Sequence, residues 1–490
     1  MRRRDKKEEQ KDVKKEKKDK SKKRKHIFSI SYLIVLIMLA VLSFFVYNLK
    51  ILPNKYLGIF FGVIALIALI LGVLNLKREK KASKIFYYIL LIPTILVSLV
   101  GFKGIYSTNK VFNAFKNSKV ITNKYYLVTN KEDIKFSTES TEEVGVIKIN
   151  ENANKAFDKL KETTKYNRKD FNNINELVNN LIEGKINIIL LSEGEYDFVI
   201  EQFPILKNKL RFIYEFTLEE KVEQKENKRD KNGAFIVYIA GIDTRSGLNI
   251  NSLTDVNILA TVNPNTHEIL LTNIPRDTYV NLRGTTGLKD KLTHAGVYGV
   301  DKSVGTIEDL FDIEIDNFIR INFNGVIKAI DLIGGVTVFN DKPFYRDGVN
   351  FKYGNIHLNG KSALIFSRER KQLAHGDFDR GKNQQKIISA AIQKISTTPS
   401  ILARLDNIIE AMGKEIYTNI TVDFMKEYAK KQIDEMPKWK ITSNALEVTG
   451  SHGRTYSMPN RNLYIGIINE ASLEKNKNEI NEVLFKKIDK

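Results

Sequence analysis

Three long apolar runs dominate the first hundred residues. They occupy residues 27–46, 57–76 and 85–102, and none contains an acidic or basic side chain. Because about 20 helical residues span the hydrocarbon core of a bilayer, each run predicts a transmembrane helix. The first run is too long, and too far from a small-residue cleavage site, for a removable signal peptide.

The next part of the chain mixes short strand-like and helical patterns. β-Rich runs at residues 125–128, 144–150 and 186–192 alternate with amphipathic helical runs around residues 157–160 and 171–182. This pattern predicts a small accessory α/β domain at residues 107–218. A polar stretch at residues 219–233 is typical of a linker. The accessory domain shows no nucleotide-binding glycine pattern and no metal-ligand spacing.

Alternation becomes regular in residues 234–490. Strands are predicted at residues 235–242, 255–262, 268–274 and 318–321, and helices at residues 302–311, 324–333, 360–370 and 380–395. The order predicts an α/β/α sandwich with a central mixed sheet. Ligands of α/β folds generally bind where the strands end.

The charge distribution gives the expected topology. The net charge is +20, but fifteen Lys/Arg against six Asp/Glu lie in residues 1–26, and five against one lie in residues 77–84. Both basic segments flank apolar runs, so they indicate membrane orientation rather than nucleic-acid binding. We expect a multi-pass plasma-membrane protein with a cytoplasmic tail at residues 1–26, three helices within residues 27–106, and extracytoplasmic C-terminal domains. Membrane lipid is an expected partner, and nucleic acid is not.

The composition also excludes some chemistry. The chain has no cysteine, so thiolate metal sites and cysteine nucleophiles are absent. Its six histidines show no HxxH or HExxH spacing, which argues against a zinc hydrolase.

Arg and Asp residues lie in or beside the apolar runs of the last domain. They are Asp243, Arg245, Asp255, Arg276, Asp277, Arg368, Arg370, Asp377 and Arg380. Guanidinium groups bind phosphate oxygens in pairs of hydrogen bonds, and carboxylates hold hard cations. The set therefore predicts polyphosphate chemistry. Other interpretations stay open: Asp377 and Arg380 equally suit a surface ion pair, and Arg368 and Arg370, two apart, converge only if their segment is irregular or extended.

Six ordered blocks resemble the LytR-CpsA-Psr family. They are GIDTRSG, DVNILATVNPNTHEILLTNIPRDTYV, KLTHAGVYG, FNGVIKAIDLIGGV, LNGKSALIFSRER and GDFDRGKNQQ. The resemblance is strong from residue 235 to about residue 395 and weaker to residue 490. Three helices followed by an extra domain are similar to the capsule-associated branch of that family.

The resemblance implies an enzyme on the outer membrane face of mainly Gram-positive bacteria. Such enzymes transfer a glycopolymer, of capsular polysaccharide or teichoic acid type, from a polyprenyl pyrophosphate carrier to peptidoglycan as a phosphodiester. Proteins of capsule or wall-polymer assembly are implied as further partners. By position, Asp243 and Asp255 match the residues linked to Mg²⁺, with Mn²⁺ as the alternative ion. The implied pyrophosphate-binding residues are Arg245, Arg276, Arg368, Arg370, Arg380 and Gln384, and the implied catalytic residues are Arg276, Arg368, Arg370 and Asp377.

Two positions depart from the family pattern. Asn383 stands where an arginine is usual, and Thr293 where an asparagine is frequent, so we expect altered affinity or donor preference. Asp377 or Asp277 is the candidate general base unless a metal makes one unnecessary. Apolar segments at residues 325–333 and 363–366 are candidates to line a prenyl groove, although any core needs such segments. The alternatives to a transferase are a lipid pyrophosphate hydrolase and a non-catalytic envelope sensor, scaffold or transcriptional attenuator.

Overall fold

The computed structural model describes most of the chain. The described residues are 30–48, 50, 52–77, 80–117, 120–221, 233–242, 252–398, 401, 408, 412 and 415–487. The candidate residues Asp243 and Arg245 therefore lie outside the described residues, as do the basic tail and most of the predicted linker. The chain divides into two compact units, Met1–Asn113 with Asp423–Met436, and Ala114–Val422 with Pro437–Lys490.

Three apolar helices make up most of the described part of the first unit, which also contains Asp423–Met436. They are α1 (Ile30–Asn48), α2 (Asn54–Leu76) and α3 (Lys81–Asn117), and each has a stretch long and apolar enough to cross a membrane. The predicted spans are thus found, and α3 continues beyond residue 106. Val35, Leu39 and Leu71 are buried between the helices, whereas most apolar side chains of α2 face outward. An outward apolar surface on every helix is what a lipid environment requires.

The accessory region of the second unit is a five-stranded sheet with helices. Its strands are β1 (Val120–Thr129), β2 (Glu143–Ile147), β3 (Asn167–Phe171), β4 (Ile188–Ser192) and β5 (Arg211–Lys221), and its helices are α4 (Glu151–Lys161), α5 (Ile174–Ile182) and α6 (Glu193–Gln202). The strand order is β3-β2-β4-β1-β5, parallel between β2 and both β3 and β4, and antiparallel around β1. Helix α6 begins at a capping box in which Ser192 and Glu195 bond each other's backbone amides.

The rest of the unit is built on a second, six-stranded sheet. The strands of this region, in chain order, are β6 (Phe235–Ile242), β7 (Thr254–Asn263), β8 (Glu268–Asn273), β9 (Tyr279–Val280), β10 (Asp290–Lys291), β11 (Asn317–Ile321), β12 (Val336–Asn340), β13 (Phe344–Arg346), β14 (Val349–Phe351), β15 (Gly354–Leu358), β16 (Ile416–Thr418), β17 (Lys440–Ala445), β18 (Val448–Gly453) and β19 (Leu463–Ile468). The helices described after residue 233 are α7 (Leu292–Ala295), α8 (Val300–Phe311), α9 (Phe323–Leu332), α10 (Gly360–Arg368), α11 (Asp377–Thr397), α12 (Val422–Glu435) and α13 (Glu470–Phe485). Of these, α12 belongs to the first unit from Asp423 onward.

The six-stranded sheet has the order β16-β11-β6-β7-β8-β17. Strands β6 and β11 are parallel, as are β8 and β17, whereas β7 runs antiparallel to both of its neighbours. The predicted mixed α/β fold is confirmed. All four predicted strands and all four predicted helices are present, but the predicted helix at 360–370 ends at Arg368 because Glu369 is extended, with φ −71° and ψ 131°.

One buried core continues from the accessory sheet to the six-stranded sheet. It includes Phe198 of α6, whose ring meets the His294 ring edge-on with centroids 5.3 Å apart. The Arg461 guanidinium lies 5.2 Å from the centroid of the Phe203 ring, and the Tyr456 hydroxyl donates to the Asn172 carbonyl at 2.6 Å. The two regions are therefore packed together, while the predicted boundaries at 107–218, 219–233 and 234–490 remain predictions.

Candidate functional site

A cavity of about 400 Å³ opens at one edge of the six-stranded sheet. Gly241 and Ile242 end β6, Ile321 ends β11, and Asp255 and Val256 lie near the start of the antiparallel β7. These strand ends share an edge because β7 runs opposite to β6. The start of α9, the end of α10 and one face of α11 complete the wall. The cavity thus lies where a ligand site is expected in an α/β fold.

The cavity brings together several residues predicted from the sequence. Those lining it are Asp255, Arg276, Arg368, Arg370, Arg380 and Gln384. Asp377 adjoins them through an ion pair with Arg380. Residues more than a hundred positions apart are therefore neighbours in the fold. Their catalytic and binding roles remain predictions.

A line of alternating charges runs along one side of the site. Arg276 Nη1 donates to Asp255 Oδ1 at 2.8 Å, and Arg276 Nε lies 3.7 Å from Asp277 Oδ2. Asp277 Oδ1 is 2.5 Å from Lys291 Nζ. Burial opposes the charge of Arg276, but the carboxylates of Asp255 and Asp277 outweigh it and raise the pKa of Arg276. Asp277 is thus engaged by two cations, so it is the weaker candidate for a general base.

A second ion pair stands at the start of α11. Arg380 Nη2 lies 2.6 Å from Asp377 Oδ1 and also donates to the Asp255 carbonyl at 3.3 Å. Burial raises the pKa of Asp377; Arg380 opposes this shift, and the nearby Asp277 adds to it. Burial also disfavours the charged form of Arg380 and so lowers its pKa. A partly desolvated carboxylate with a raised pKa suits a proton acceptor better than an ordinary surface aspartate.

Arg368 and Arg370 reach the same cavity because the helix stops between them. Arg368 is the last residue of α10, and the extended Glu369 turns the chain so that Arg370 also lines the wall. The geometric condition for their convergence is therefore met. The Arg368 guanidinium lies 4.2 Å from the centroid of the Phe323 ring at the start of α9. Cation–π stacking of this kind orients a guanidinium without neutralising it.

The sequence prediction missed several residues of this wall. They are Phe323, Arg346, Glu369, Lys371 and Gln372. Arg346 ends β13 of a hairpin whose two-residue turn is Asp347-Gly348, with φ of +48° and +82°. Asp-Gly between strand-like residues is a recognised hairpin signal that would have placed a strand here. Only the fold, however, brings Arg346 to Arg368 and Glu369.

The apolar part of the wall fits the proposed prenyl groove in part. Ile242, Val256, Ile321, Val326 and Leu364 line the cavity. Of the two segments predicted for the groove, Val326 and Leu364 are therefore at the site. Other members of those segments, including Ile330, Ile333 and Phe366, pack in a separate buried cluster, so they serve the core.

The two positions that depart from the family pattern both make backbone contacts. The buried Asn383 donates from Nδ2 to the Phe366 carbonyl at 3.5 Å. The amide of the buried Thr293 donates to the Arg276 carbonyl at 2.9 Å. Asn383 thus supports the packing of α11 on α10, and Thr293 supports the turn that carries Arg276. Their effect on donor preference remains a prediction.

The described residues give no complete metal site. Within them, no three His, Asp or Glu side chains are grouped so as to hold an ion. Asp255 offers the oxygen ligand that Mg²⁺ prefers, but its described partner is Arg276, and Asp243 lies outside the described residues.

The comparisons with known proteins decide the family. A model described as "LytR_cpsA_psr family" matches residues 208–482, more than half of the chain. The chain belongs to this family. The predicted membership is therefore confirmed.

Two curated proteins and one crystal structure are similar to this chain. The "Polyisoprenyl-teichoic acid--peptidoglycan teichoic acid transferase TagU" of Oceanobacillus iheyensis is 39% identical over 194 residues, 38% of this chain and 59% of that protein. The protein of the same name from Bacillus cereus is 32% identical over 253 residues, 51% of this chain and 82% of that protein. The crystal structure of TagV from B. subtilis is 30% identical, with a TM-score of 0.44, and the match covers 51% of this chain and 97% of that one.

Proposed function

We propose that this protein is a membrane-anchored transferase that moves a glycopolymer from a polyprenyl pyrophosphate carrier to peptidoglycan. The observation that carries the proposal is the cavity at the sheet edge, where an apolar wall adjoins Arg276, Arg368, Arg370 and Arg380. A lipid pyrophosphate has the same two parts, an apolar chain and a polyanion. Family membership and the transferase names of the relatives support the same enzyme class. Those names favour a teichoic acid over a capsular polysaccharide as the polymer.

The proposed reaction is one displacement at phosphorus. An acceptor hydroxyl oxygen of peptidoglycan forms a bond to the phosphorus that carries the glycan, and the bond from that phosphorus to the oxygen of the prenyl phosphate breaks. The products are a phosphodiester and prenyl monophosphate. Negative charge grows on the leaving phosphate, so guanidinium groups fixed beside it stabilise the transition state more than the ground state.

Asp377 is the proposed proton acceptor. Its carboxylate is partly desolvated and its pKa is raised, so it takes a proton more readily than an ordinary aspartate. Arg380, at 2.6 Å, holds the carboxylate in place. The proton of the acceptor hydroxyl goes to Asp377 as the new phosphorus–oxygen bond forms.

A divalent cation belongs to the proposal as well. Asp255 together with Asp243 would hold Mg²⁺, or Mn²⁺ in its place, and the ion would neutralise phosphate charge. Occupation of such a site requires Asp255 to share its carboxylate between the ion and Arg276, which lies 2.8 Å away. We further propose that the tail at residues 1–26 is cytoplasmic and that the domains after α3 are extracytoplasmic, in agreement with the positions of the basic segments.

The proposal is tested with the full chain in lipid nanodiscs. The protein is incubated with polyprenyl-pyrophosphate-linked teichoic acid, peptidoglycan fragments and Mg²⁺, and linked product is measured by mass spectrometry. We expect a phosphodiester-linked product that is lost in Arg368→Ala and Asp255→Ala and after treatment with EDTA. The exposed Lys361, on α10 and away from the cavity lining, provides the control variant Lys361→Ala.

Other outcomes identify the alternatives. Release of glycan phosphate without linkage, in the presence of acceptor, would indicate a hydrolase. Absence of turnover with teichoic acid and capsular donors alike would favour the sensor, scaffold or attenuator. Linkage of a capsular donor in preference to teichoic acid would correct the polymer class and keep the reaction.

A further inference from the structure

The cavity carries more positive charge than a pyrophosphate needs. Among the described residues that line it, six side chains are basic and two, Asp255 and Glu369, are acidic. Arg276 and Arg380 are each paired with an aspartate, and Arg346, on the hairpin at the rim, is paired with Glu369. A cation at the rim is available to a part of the donor other than the pyrophosphate.

Arg346 lies at the outer side of the cavity. Its neighbours in the hairpin, Tyr345 and Asp347, are 61% and 65% exposed, while the Arg346 side chain is 27% exposed. Gln372 Nε2 donates to the Tyr345 carbonyl at 2.6 Å, which fastens the hairpin to the segment after α10. The apolar wall is formed by strand ends, Val326 of α9 and Leu364 of α10. If the prenyl chain lies along that wall, the glycan passes the hairpin.

The Arg346 guanidinium is fixed on one side and open on the other. Nη1 donates to the Arg368 carbonyl at 2.7 Å and to Glu369 Oε2 at 3.1 Å. Nε lies 3.6 Å from Asp347 Oδ2. No acceptor contacts Nη2 among the residues that the structure describes. A guanidinium held in this way offers its remaining donors to a ligand with little further loss of side-chain entropy.

Glu369 holds the Arg346 guanidinium. Its side chain is 2% exposed, and its other oxygen, Oε1, accepts from the Gln372 amide at 2.9 Å. Burial alone would raise the pKa of Glu369, but the Gln372 amide and the Arg346 guanidinium outweigh burial and lower it. Glu369 is therefore ionised at neutral pH. It joins Arg346 to the turn that carries Arg370.

We propose that Arg346 binds an anionic group of the glycopolymer adjacent to the pyrophosphate, such as a phosphodiester of the polymer's first units, and that Glu369 is its positioning residue. This inference rests on the proposed function, which it deepens by assigning Arg346 to an anionic group of the donor outside the pyrophosphate. Arginine suits this task because its planar fork makes paired, charge-assisted hydrogen bonds to phosphate.

The test compares two donors in the full-chain nanodisc assay. Both are polyprenyl-pyrophosphate glycans of equal length, one with glycerol phosphate on its first sugars and one neutral. Arg346→Ala is expected to raise KM about ten-fold more for the phosphate-bearing donor than for the neutral donor, through the loss of one charge-assisted contact. Arg346→Lys should give an intermediate rise. Glu369→Gln should show the same selectivity with a smaller effect, because the guanidinium is then held less firmly.

Lys352→Ala is the matched control. Lys352 is an exposed cation that follows the same hairpin and does not line the cavity, so its loss should leave both donors unchanged. An equal rise in KM for both donors, or a fall in kcat alone, would overturn the proposal, since Arg346 would then act on the pyrophosphate or on folding. Thermal unfolding of each variant shows whether the substitution acts on folding.

A binding measurement separates this inference from the proposed function. Oligo(glycerol phosphate) is titrated into the full chain in nanodiscs, with no lipid donor present. Binding by the wild type that weakens about ten-fold in Arg346→Ala and not in Lys352→Ala would support the inference even if no transfer is found. Equal binding by the wild type and Arg346→Ala would contradict the inference even if transfer is established.

Discussion

The guanidinium of Arg368 stacks on the ring of Phe323, with 4.2 Å between the guanidinium carbon and the ring centroid. Phe323 is the first residue of α9, and Arg368 is the last residue of α10. The side chain of Asn322 fixes the start of α9 by accepting from the Gly325 amide at 2.8 Å. The ring therefore orients an arginine of the site by covering one face of its guanidinium.

Removal of this ring should reduce transfer. Phe323→Ala removes the ring that orients the Arg368 guanidinium, and the loss of about 1 kcal/mol of cation–π stabilisation should lower kcat/KM about five-fold. Phe323→Tyr keeps an aromatic face and should retain most activity. Phe339 is an exposed phenylalanine of β12 outside the cavity lining, so Phe339→Ala is the control. Equal activity of Phe323→Ala and wild type would mean that Arg368 needs no stacking partner.

Asp377 should determine the acidic limb of the pH–rate profile. Burial raises its pKa above the ordinary value of an aspartate, and a general base works only when ionised. The rate of transfer should therefore fall as pH decreases through this raised pKa, at a higher pH than an exposed aspartate would give. Asp377→Asn should lower kcat by about 10²–10⁴ and remove that limb. The measurement is kcat against pH at saturating donor and acceptor.

A loss of rate without a change in the limb would assign the titration to another group. Asp277→Asn is the informative comparison, because Asp277 is held by Lys291 at 2.5 Å and faces Arg276. It should lower activity by disturbing Arg276 while the acidic limb remains. If Asp277→Asn removed the limb instead, Asp277 would be the base.

Gly381 should tolerate no side chain. A Cβ at this position of α11 would lie 2.4 Å from Asn273 Nδ2 at the end of β8. Gly381→Ala should gain about 1 kcal/mol of stability from helix propensity, but the clash should cost more, so that the net loss of stability is about 1–3 kcal/mol. The clash should also displace Arg380 and Gln384. Thermal unfolding and transfer assays on the purified protein check both effects. Gln393→Ala, on an exposed position of the same helix, controls for propensity alone. A more stable, fully active Gly381→Ala would show that Asn273 moves aside.

The sequence predicted those parts of the fold that depend on local periodicity. Apolar runs located the three long helices, and alternation located β6, β7, β8 and β11 to within a few residues. Other strands were missed. One of them, β17, has the polar sequence KITSNA, and only its pairing with β8 in the folded sheet makes it a strand. Pairing between residues far apart in the chain leaves no local pattern.

The site was predicted as far as residue type carries information. Arg and Asp beside apolar runs indicated phosphate chemistry, and the structure places Asp255, Arg276 and Arg380 together. Glu369 showed no signal, because one glutamate between two arginines is ordinary for a helix end. Its burial and its bond to Arg346 arise only when the hairpin folds back on α10. The engagement of Asp277 by Lys291 was likewise beyond sequence reasoning, since the two residues lie in different segments that only the fold brings together.

A last prediction concerns a buried network beside the site rather than the site itself. Asp290 is fully buried; it accepts from the Ser457 amide at 2.8 Å, and its other oxygen lies 2.7 Å from His294 Nδ1. Burial alone would raise the pKa of Asp290, but His294 and the Ser457 hydroxyl outweigh burial and lower it. Because the folded-state pKa is lower than the unfolded-state pKa, the carboxylate stabilises the fold above the unfolded pKa. That stability is lost as pH falls through the folded pKa.

Asp290→Asn should therefore destabilise the protein by about 3 kcal/mol at neutral pH and by less in acid, where the wild-type carboxylate is itself protonated. Unfolding midpoints from pH 3 to pH 8 measure this convergence. Asp347, whose side chain is 65% exposed, gives the control Asp347→Asn, which should change stability little. A constant difference between wild type and Asp290→Asn across the whole pH range would show that hydrogen-bond geometry, and not the charge of Asp290, stabilises the network. Thr293 lies next to His294 in the chain, and its amide donates to the Arg276 carbonyl. Loss of the network should therefore also weaken the positioning of Arg276.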